Sequence, residues 1–311
     1  MAKLAENTGY SIAAVSKLTG IGCHTLRVWE RRYGFPVPRR SPSGHRRYAA
    51  DHVQVLGQLA HRLREGGAIG DLMVLVRAGT LEVETEEFPV SAATSLSTAI
   101  LDQLQLGDLA RAEAAYERAV AGLSPAERAG QVIEPNIVEV GERWFRGEWN
   151  VFQEHYATSF FRRKLDVLLD QAQADNRSPS RTALVGTVQG DRHVGGVLMI
   201  CLYLELAGWR AQQLGVDLPV REYQLAVDLW KPDAVCLSFV LSRNVNKRFA
   251  ELARIRGAPV FVGGRSILNY QGLARRNGLR PIIGAADEAT AQVIAAVERE
   301  VCEKHASHSP L

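Results

Sequence analysis

YSIAAVSKLTGIGCHTLRVWERRYGFPVPRRSPSGHRRY, residues 10–48, holds two short helical patterns, a glycine turn between them and an arginine-bearing hairpin behind. Ser11 is placed to cap a helix over Ile12 to Leu18, because a hydroxyl there satisfies an amide donor that the first helical turn leaves over. Gly20 supplies a tight turn, and a second helix is expected from Cys23 to Arg32 with His24, Arg27, Arg31 and Arg32 on its outer face. Pro38 to Arg40 and Arg46 to Tyr48 read as two extended segments joined by a Ser-Pro-Ser-Gly turn. Two helices about a tight turn are the spacing that puts the second helix into the major groove of DNA. The hairpin is then a wing that sets guanidiniums against phosphates or into the minor groove. A charge run alone is usually only a solvated face; the order of turn, helix and arginine hairpin makes this one a nucleic-acid footprint.

The charge of the whole chain agrees. Residues 1–50 carry nine Lys and Arg against two Glu (+7), and the remainder carries 28 basic and 32 acidic residues (−4), so the net +3 conceals one end suited to a polyanion. With 311 residues, 46% of them hydrophobic and 23% charged, the chain can bury two or three ordinary cores. Its longest apolar stretch, Val194 to Leu204, falls short of the roughly 18 to 20 residues a bilayer requires, and the N-terminus lacks the apolar core of a secretory signal. No membrane partner and a cytoplasmic location are expected. Cys23, Cys201, Cys236 and Cys302 form no C-x-x-C pair, which argues against a disulfide framework and a thiolate metal site.

Beyond a helical segment reaching residue 78, Gly79 to Thr94 is acidic, has little apolar periodicity and reads as a linker. Ser95 to about Ala174 is helical throughout, with apolar positions recurring at three and four, and four helices packed as a bundle are expected at 95–176. From Arg181 onward, short apolar runs alternate with amphipathic helices. Strands are expected at Ala183–Val188, Ala211–Val216, Ala234–Phe239, Val260–Val262 and Pro281–Ile283. Helices fit at His193–Ala207, Pro219–Leu229, Arg243–Ile255, Gln271–Asn277 and Glu288–Glu303. That pattern predicts a doubly wound, Rossmann-like parallel sheet at 181–305, with its ligand site at the carboxyl ends of the strands. The fold class is thus multidomain α and α/β.

The loop after the first of these strands reads Gly190-Asp191-Arg192-His193-Val194-Gly195-Gly196. An aspartate two residues before a histidine can accept a proton from one imidazole nitrogen, which fixes the tautomer and turns the other nitrogen to a metal. Gly195 and Gly196 open the helix start to a bulky ligand. Ser238 to Ser242 follows the third strand and Val262-Gly263-Gly264 the fourth. In the helical segment, Trp144, Val151, Glu154 and His155 stand at offsets 0, 7, 10 and 11, close to one face of a helix or of a bent helix pair.

These motifs carry three resemblances. TLRVWERRYG and GHRRY make residues 10–48 similar to the N-terminal module of the MerR family. That implies a dimer on an inverted repeat, with Arg27, Arg31 and Arg32 on the recognition helix, Arg40, His45 and Arg46 on the wing, and Trp29 and Tyr33 facing the core. D-x-H-x-x-G, S-x-V-L and G-G at three strand ends resemble the cobalamin-binding domain of methionine synthase, mutases and corrinoid proteins. The resemblance implies that His193 ligates cobalt from below, that Asp191 supports it, and that Arg192, Gly196, Ser238, Leu241, Gly263 and Gly264 line the cofactor site. The W-x(9)-E-H arrangement resembles the light-responsive, adenosylcobalamin-dependent MerR regulators of carotenoid synthesis, the CarH/LitR type. It places Trp144, Val151, Glu154 and His155 over the upper corrin face. The family pattern has a histidine directly after the tryptophan; this chain has Phe145 there.

What the resemblances imply is a regulator, not an enzyme: an adenosylcobalamin-controlled repressor acting on a double-stranded operator of inverted or direct repeats as a homo-oligomer, dimer or tetramer. Two other readings use the same residues: a corrinoid methyl carrier or mutase subunit, and a MerR-type regulator whose second half docks a protein and needs no cobalamin. An N-terminal DNA module is foreign to the first of these.

Overall fold

The computed structural model describes residues 10–19, 21–40, 44–64, 69–81, 95–145, 148–240 and 245–306. Gly20, the Ser41-Pro42-Ser43 part of the wing turn, most of the expected linker (82–94) and Leu241 lie outside the described residues. The chain divides into two compact units, Met1–Ala115 with Val138–Thr158, and Tyr116–Ile137 with Ser159–Leu311.

The first unit begins with β1 (Tyr10–Ser11), α1 (Ile12–Thr19), α2 (Cys23–Tyr33), β2 (Arg39–Arg40), β3 (Arg46–Tyr48), α3 (Ala50–Arg64) and α4 (Ile69–Ala78). Ser11 caps α1, its Oγ accepting the Ala14 N–H at 3.1 Å. α2 stops at Gly34, whose φ of 71° is the left-handed geometry that ends a helix without a Cβ penalty. β3 is the central strand of a three-stranded antiparallel sheet, Ser11 and Arg39 both pairing with Arg47. The 3.6-residue period of α2 turns Leu26 and Trp29 into a core that also holds Val15, Tyr48 and Leu56, with Tyr33 partly buried against it.

Four helical segments follow: α5 (Ser95–Leu106), α6 (Leu109–Ala119), α7 (Pro125–Glu127) running through a π-helical turn (Arg128–Ile133) into α8 (Glu134–Phe145), and α9 (Val151–Asp175). They are shared between the two units. Sequence periodicity runs without interruption through Leu106, yet the helix breaks there because Gly107 takes φ 77° and the Asp108 side chain accepts the Arg111 N–H at 3.0 Å. Ser124 and Glu127 form a reciprocal capping box with Pro125 at the first helical position. In the first unit Arg143 reaches Glu139 at 3.0 Å and Asp102 at 3.5 Å, and Gln153 donates to the Gln105 carbonyl at 3.2 Å. In the second, Tyr116 and Phe160 meet edge to face and Asn176 donates to the buried Glu205 carboxylate at 2.7 Å.

The α/β part comprises β4 (Arg181–Val188), α10 (Gly195–Leu206), β5 (Trp209–Leu218), α11 (Val220–Trp230), β6 (Ala234–Ser238), α12 (Val245–Leu252), β7 (Val260–Gly263), a 3-10 turn (Arg265–Asn269), α13 (Gln271–Arg276), β8 (Arg280–Pro281) and α14 (Ala286–Ala306). All five strands are parallel in the order β5-β4-β6-β7-β8. The first strand therefore has later strands on both sides, and the order reverses between β4 and β6. That is a doubly wound sheet, and its switch point is where such sheets bind ligands. β6 is buried along its whole length and β4 from Ala183 on, as a parallel sheet covered on both faces requires. Helix α10 starts at Gly195, two residues later than its periodicity suggests, because the His193 N–H is taken by the Asp191 carboxylate. Cys201 and Cys236 are buried, and burial pushes the Cys236 thiol up to about 12. No helix among the described residues is long and apolar enough to cross a membrane.

Candidate functional site

Two sets of side chains stand out, one in each unit, besides a third at the α8–α9 junction. On the N-terminal module, His24, Arg27, Arg31 and Arg32 are all exposed on the side of α2 opposite Leu26 and Trp29, as the period requires. The Arg32 guanidinium lies 5.3 Å from the centre of the Tyr33 ring. Arg40 is exposed and donates one bond, at 3.2 Å, to the Gly44 carbonyl. Arg46 differs from the other arginines. Its Nε and Nη2 bond both oxygens of Glu30, at 2.7 and 3.2 Å, so its fork joins the wing to α2. Where wing and helix meet, a notch of about 220 Å³ is lined by Arg27, His45, Arg46 and Arg47. Sequence reading missed Glu30 and Arg47; an acid among four bases in the helix was the available signal for Glu30.

The α8–α9 junction carries Trp144, Val151, Glu154 and His155. Trp144 is partly buried in α8, and the other three fall within the first five residues of α9, so the four belong to a helix pair and not to one continuous helix. The Glu154 carboxylate lies 2.6 Å from His155 Nδ1 and accepts the Thr158 hydroxyl at 3.1 Å. Val151 and the next residue, Phe152, are 54% and 69% exposed, which leaves an apolar edge beside the Glu154–His155 pair.

The second unit holds the D-x-H loop. Asp191 is 1% exposed, and a buried carboxylate must be fully bonded to be tolerated. It is: Oδ1 accepts His193 Nδ1 at 2.7 Å and the His193 N–H at 3.1 Å, and Oδ2 accepts the Val240 N–H at 2.7 Å. The carboxylate therefore spans the loops after β4 and β6, at the switch point. With Nδ1 on Asp191, Nε2 is the nitrogen of the His193 ring that a metal would take. No group of three or more His, Cys, Asp or Glu side chains able to hold a metal ion occurs among the described residues. A single oriented imidazole suits a metal that arrives with most of its coordination sphere already filled, as a corrinoid's cobalt does.

The glycines fit this crowding. A Cβ on Gly196 would stand 2.6 Å from Ser238 Oγ, so the start of α10 and the end of β6 touch there. Gly264 has φ 92°, and a Cβ on it would stand 2.6 Å from the Phe239 carbonyl; one on Gly263 would meet Ile282 at 3.0 Å. Arg192 points to the surface and pairs with Asp217 at 2.9 Å. Asp217 and Thr187, which also bonds the Asp191 carbonyl, were not among the expected residues.

Residues 10–77 match the model of the MerR HTH family regulatory protein, and residues 96–169 match that of the B12 binding domain. The chain is 31% identical over 296 residues to the HTH-type transcriptional repressor CarH of Myxococcus xanthus, covering 91% of this chain and 98% of that one. It is 29% identical to the repressor CarA of the same organism over 260 residues, 81% of this chain and 85% of the other. In fold, the structure of the monomethylamine corrinoid protein of Methanosarcina barkeri superimposes with a TM-score of 0.53 at 16% identity, over 65% of this chain and 96% of that one. Together these matches show that the chain belongs to the family of MerR-type transcriptional repressors that carry a B12-binding domain.

Proposed function

We propose that this DNA-binding regulator is a repressor whose operator affinity is set by adenosylcobalamin and by light. The observation that carries the reading is the Asp191–His193 pair at the switch point, with Nδ1 fixed by a buried carboxylate. His193 holds the cobalt through Nε2, and Asp191 holds the ring and raises its basicity. Gly196 at the start of α10 and Ser238, Gly263 and Gly264 at or next to strand ends are assigned to the cofactor's lower side, Leu241 is assigned there from the sequence pattern alone, and Arg192 is assigned to the rim. Trp144, Val151, Glu154 and His155, within the stretch matching the B12 binding domain, are assigned to its upper side. There the indole and Val151 supply apolar cover, and the Glu154 carboxylate accepts hydrogen bonds from a sugar or base.

A bound adenosylcobalamin supplies a cobalt–carbon bond that light cleaves. The protein's part is to contact the loaded and cleaved states differently, since a ligand shifts an equilibrium only by its differential affinity. Turning an operator complex from 99:1 to 1:99 needs about 5.5 kcal/mol of such difference. Phe145 offers no imidazole at the position where the family pattern has histidine, so the light state of this chain lacks that lock and is the less permanent. His24, Arg27, Arg31, Arg32, Arg40 and His45 face the DNA, with Arg46 behind them on Glu30. The regulator acts as a homo-oligomer on a repeated site, and its targets are genes of light response or carotenoid synthesis.

Absorption spectra of the protein with adenosylcobalamin before and after green light, paired with operator gel shifts of the same samples, test this. Binding that His193→Ala abolishes, and a loss of operator affinity on illumination, are expected. Unchanged operator affinity after complete photolysis would overturn the light reading, and no uptake of adenosylcobalamin would overturn the cofactor reading.

A further inference from the structure

The loop that presents His193 is six residues long, 189–194, and the Asp191 carboxylate ties it to the loop after β6 through the Val240 N–H. A second carboxylate, on β5, pins it from a different strand. Asp217, near the end of β5, accepts the Gly190 N–H on Oδ1 at 2.7 Å and Arg192 Nε on Oδ2 at 2.9 Å. Its own N–H donates to the Asp191 carbonyl at 3.0 Å and to Thr187 Oγ1 at 2.9 Å. The Thr187 hydroxyl donates to that same carbonyl at 2.5 Å. One residue thus holds the positions on both sides of Asp191 through its side chain and Asp191 itself through its backbone.

Asp217 does this in a left-handed conformation, φ 61°, which among residues with a side chain Asn and Asp tolerate best. Glycine would remove the conformational penalty and lose both acceptors; asparagine would keep the backbone and the acceptor for Gly190 but turn an amide donor towards Arg192. Only aspartate satisfies all three demands. The bonds from Gly190 and Arg192 hold its carboxyl below the usual carboxylate range.

The geometry points to Asp217 as the positioning residue of the cobalt site, fixing through Gly190, Arg192 and the Asp191 carbonyl the loop that aims His193; this rests on the cobalamin reading above. Arg192 then serves as the counter-ion of Asp217, consistent with its 80% exposed side chain.

The test titrates the full-length protein with cob(II)alamin under anaerobic conditions, reading affinity by absorbance and the axial nitrogen by electron paramagnetic resonance with 15N-labelled histidine. Amide exchange at Gly190 is followed in the cofactor-free protein. Wild type should show histidine coupling. Asp217→Gly should bind on the order of 10- to 100-fold more weakly, the range for support residues behind a metal ligand, with the histidine coupling reduced and Gly190 exchanging faster. Asp217→Asn should fall between the two. Asp217→Gly with wild-type affinity and coupling overturns the assignment; if that variant does not fold, the nearly isosteric Asp217→Asn decides, and wild-type behaviour there overturns it equally. Absence of histidine coupling in wild type itself, with His193→Ala behaving alike, sinks the cobalamin reading and this role with it. Histidine coupling in wild type with indifferent Asp217 variants removes only the role of Asp217.

Discussion

Arg40 and Arg46 sit on the same wing and should fail in different ways. The Arg46–Glu30 fork spans 2.7 and 3.2 Å between side chains only 26% and 24% exposed, so water screens it incompletely. Fully exposed pairs are worth about 0.2–1 kcal/mol and hydrogen bonds to charged groups about 1.5–3 kcal/mol, which brackets this pair at about 1–2 kcal/mol. Arg46→Ala should therefore raise amide exchange across the wing about 5- to 30-fold. Its charge is already offset by Glu30, so the slope of log affinity against log salt should change by well under one unit. Arg40, exposed and holding one carbonyl at 3.2 Å, is the opposite case. Arg40→Ala should leave exchange within about twofold and flatten the slope by about 0.9, one released counterion. Glu30→Gln is the control: it loosens the wing as Arg46→Ala does, yet steepens the slope because a guanidinium is uncovered. The assays are exchange mass spectrometry and operator titration at several salt concentrations. Arg46→Ala flattening the slope by a full unit with unchanged exchange would refute the clamp and make Arg46 a phosphate ligand.

Gly196→Ala should cost about 1–3 kcal/mol in chemical denaturation because its Cβ meets Ser238 Oγ at 2.6 Å, and Ser238→Ala should recover most of that. Gly264→Ala should cost more and resist any such rescue, since φ is 92° and the clash is with the Phe239 backbone. Glu134, partly buried and accepting the Ala286 N–H at 3.3 Å, has its pKa raised by burial. A raised carboxylate stabilises the fold below its unfolded value and loses that contribution as pH rises through the folded one, so Glu134→Gln should melt higher at neutral pH. The advantage should vanish on acidification to about 4.3, and a constant difference across that range would show burial is not the cause. The Tyr48 hydroxyl is buried without a partner among the described residues, so Tyr48→Phe should be neutral or stabilising by up to about 1 kcal/mol; a loss of more than that in a melt would mean the hydroxyl is bonded in solution.

The elements were legible because each had a local cause. Ser11 and the buried faces of α1 and α2 follow from neighbours three or four positions away, and β4 and β6 announced themselves as apolar runs between helical periods. Asp191 and His193 were legible for the same reason: two residues apart, one can bond the other. Glu30 and Asp217 were not. Their partners are 16 and 27 residues away, and no period connects a helix to a wing or the end of one strand to the loop after another. Asp217 also depends on a positive φ, which aspartate permits but does not announce. The Trp144-to-His155 spacing fitted either one helix or a bent helix pair, and the five residues between α8 and α9 decide for the pair.

Control of repression must act where the N-terminal module has freedom, and within the module there is little. Leu26, Tyr48, Leu56 and Leu59 are fully buried, β3 is paired on both sides, and Glu30 fixes the wing to α2. Interiors packed this closely shift between discrete arrangements and do not deform by degrees, and any second arrangement of the wing would have to give up the pairing of Arg47 or the fork of Arg46 or move α2 with it. What can change at low cost is how many modules meet the operator together, since joining two binding events raises apparent affinity 10²- to 10⁴-fold without a new contact. Adenosylcobalamin and light should then alter operator affinity within that range while amide exchange in α2 and the wing, measured off DNA, stays the same. Sedimentation of the loaded protein before and after illumination should show the change in assembly that accompanies it. An altered exchange pattern in α2 or the wing at constant assembly would place the switch inside the module and end this argument.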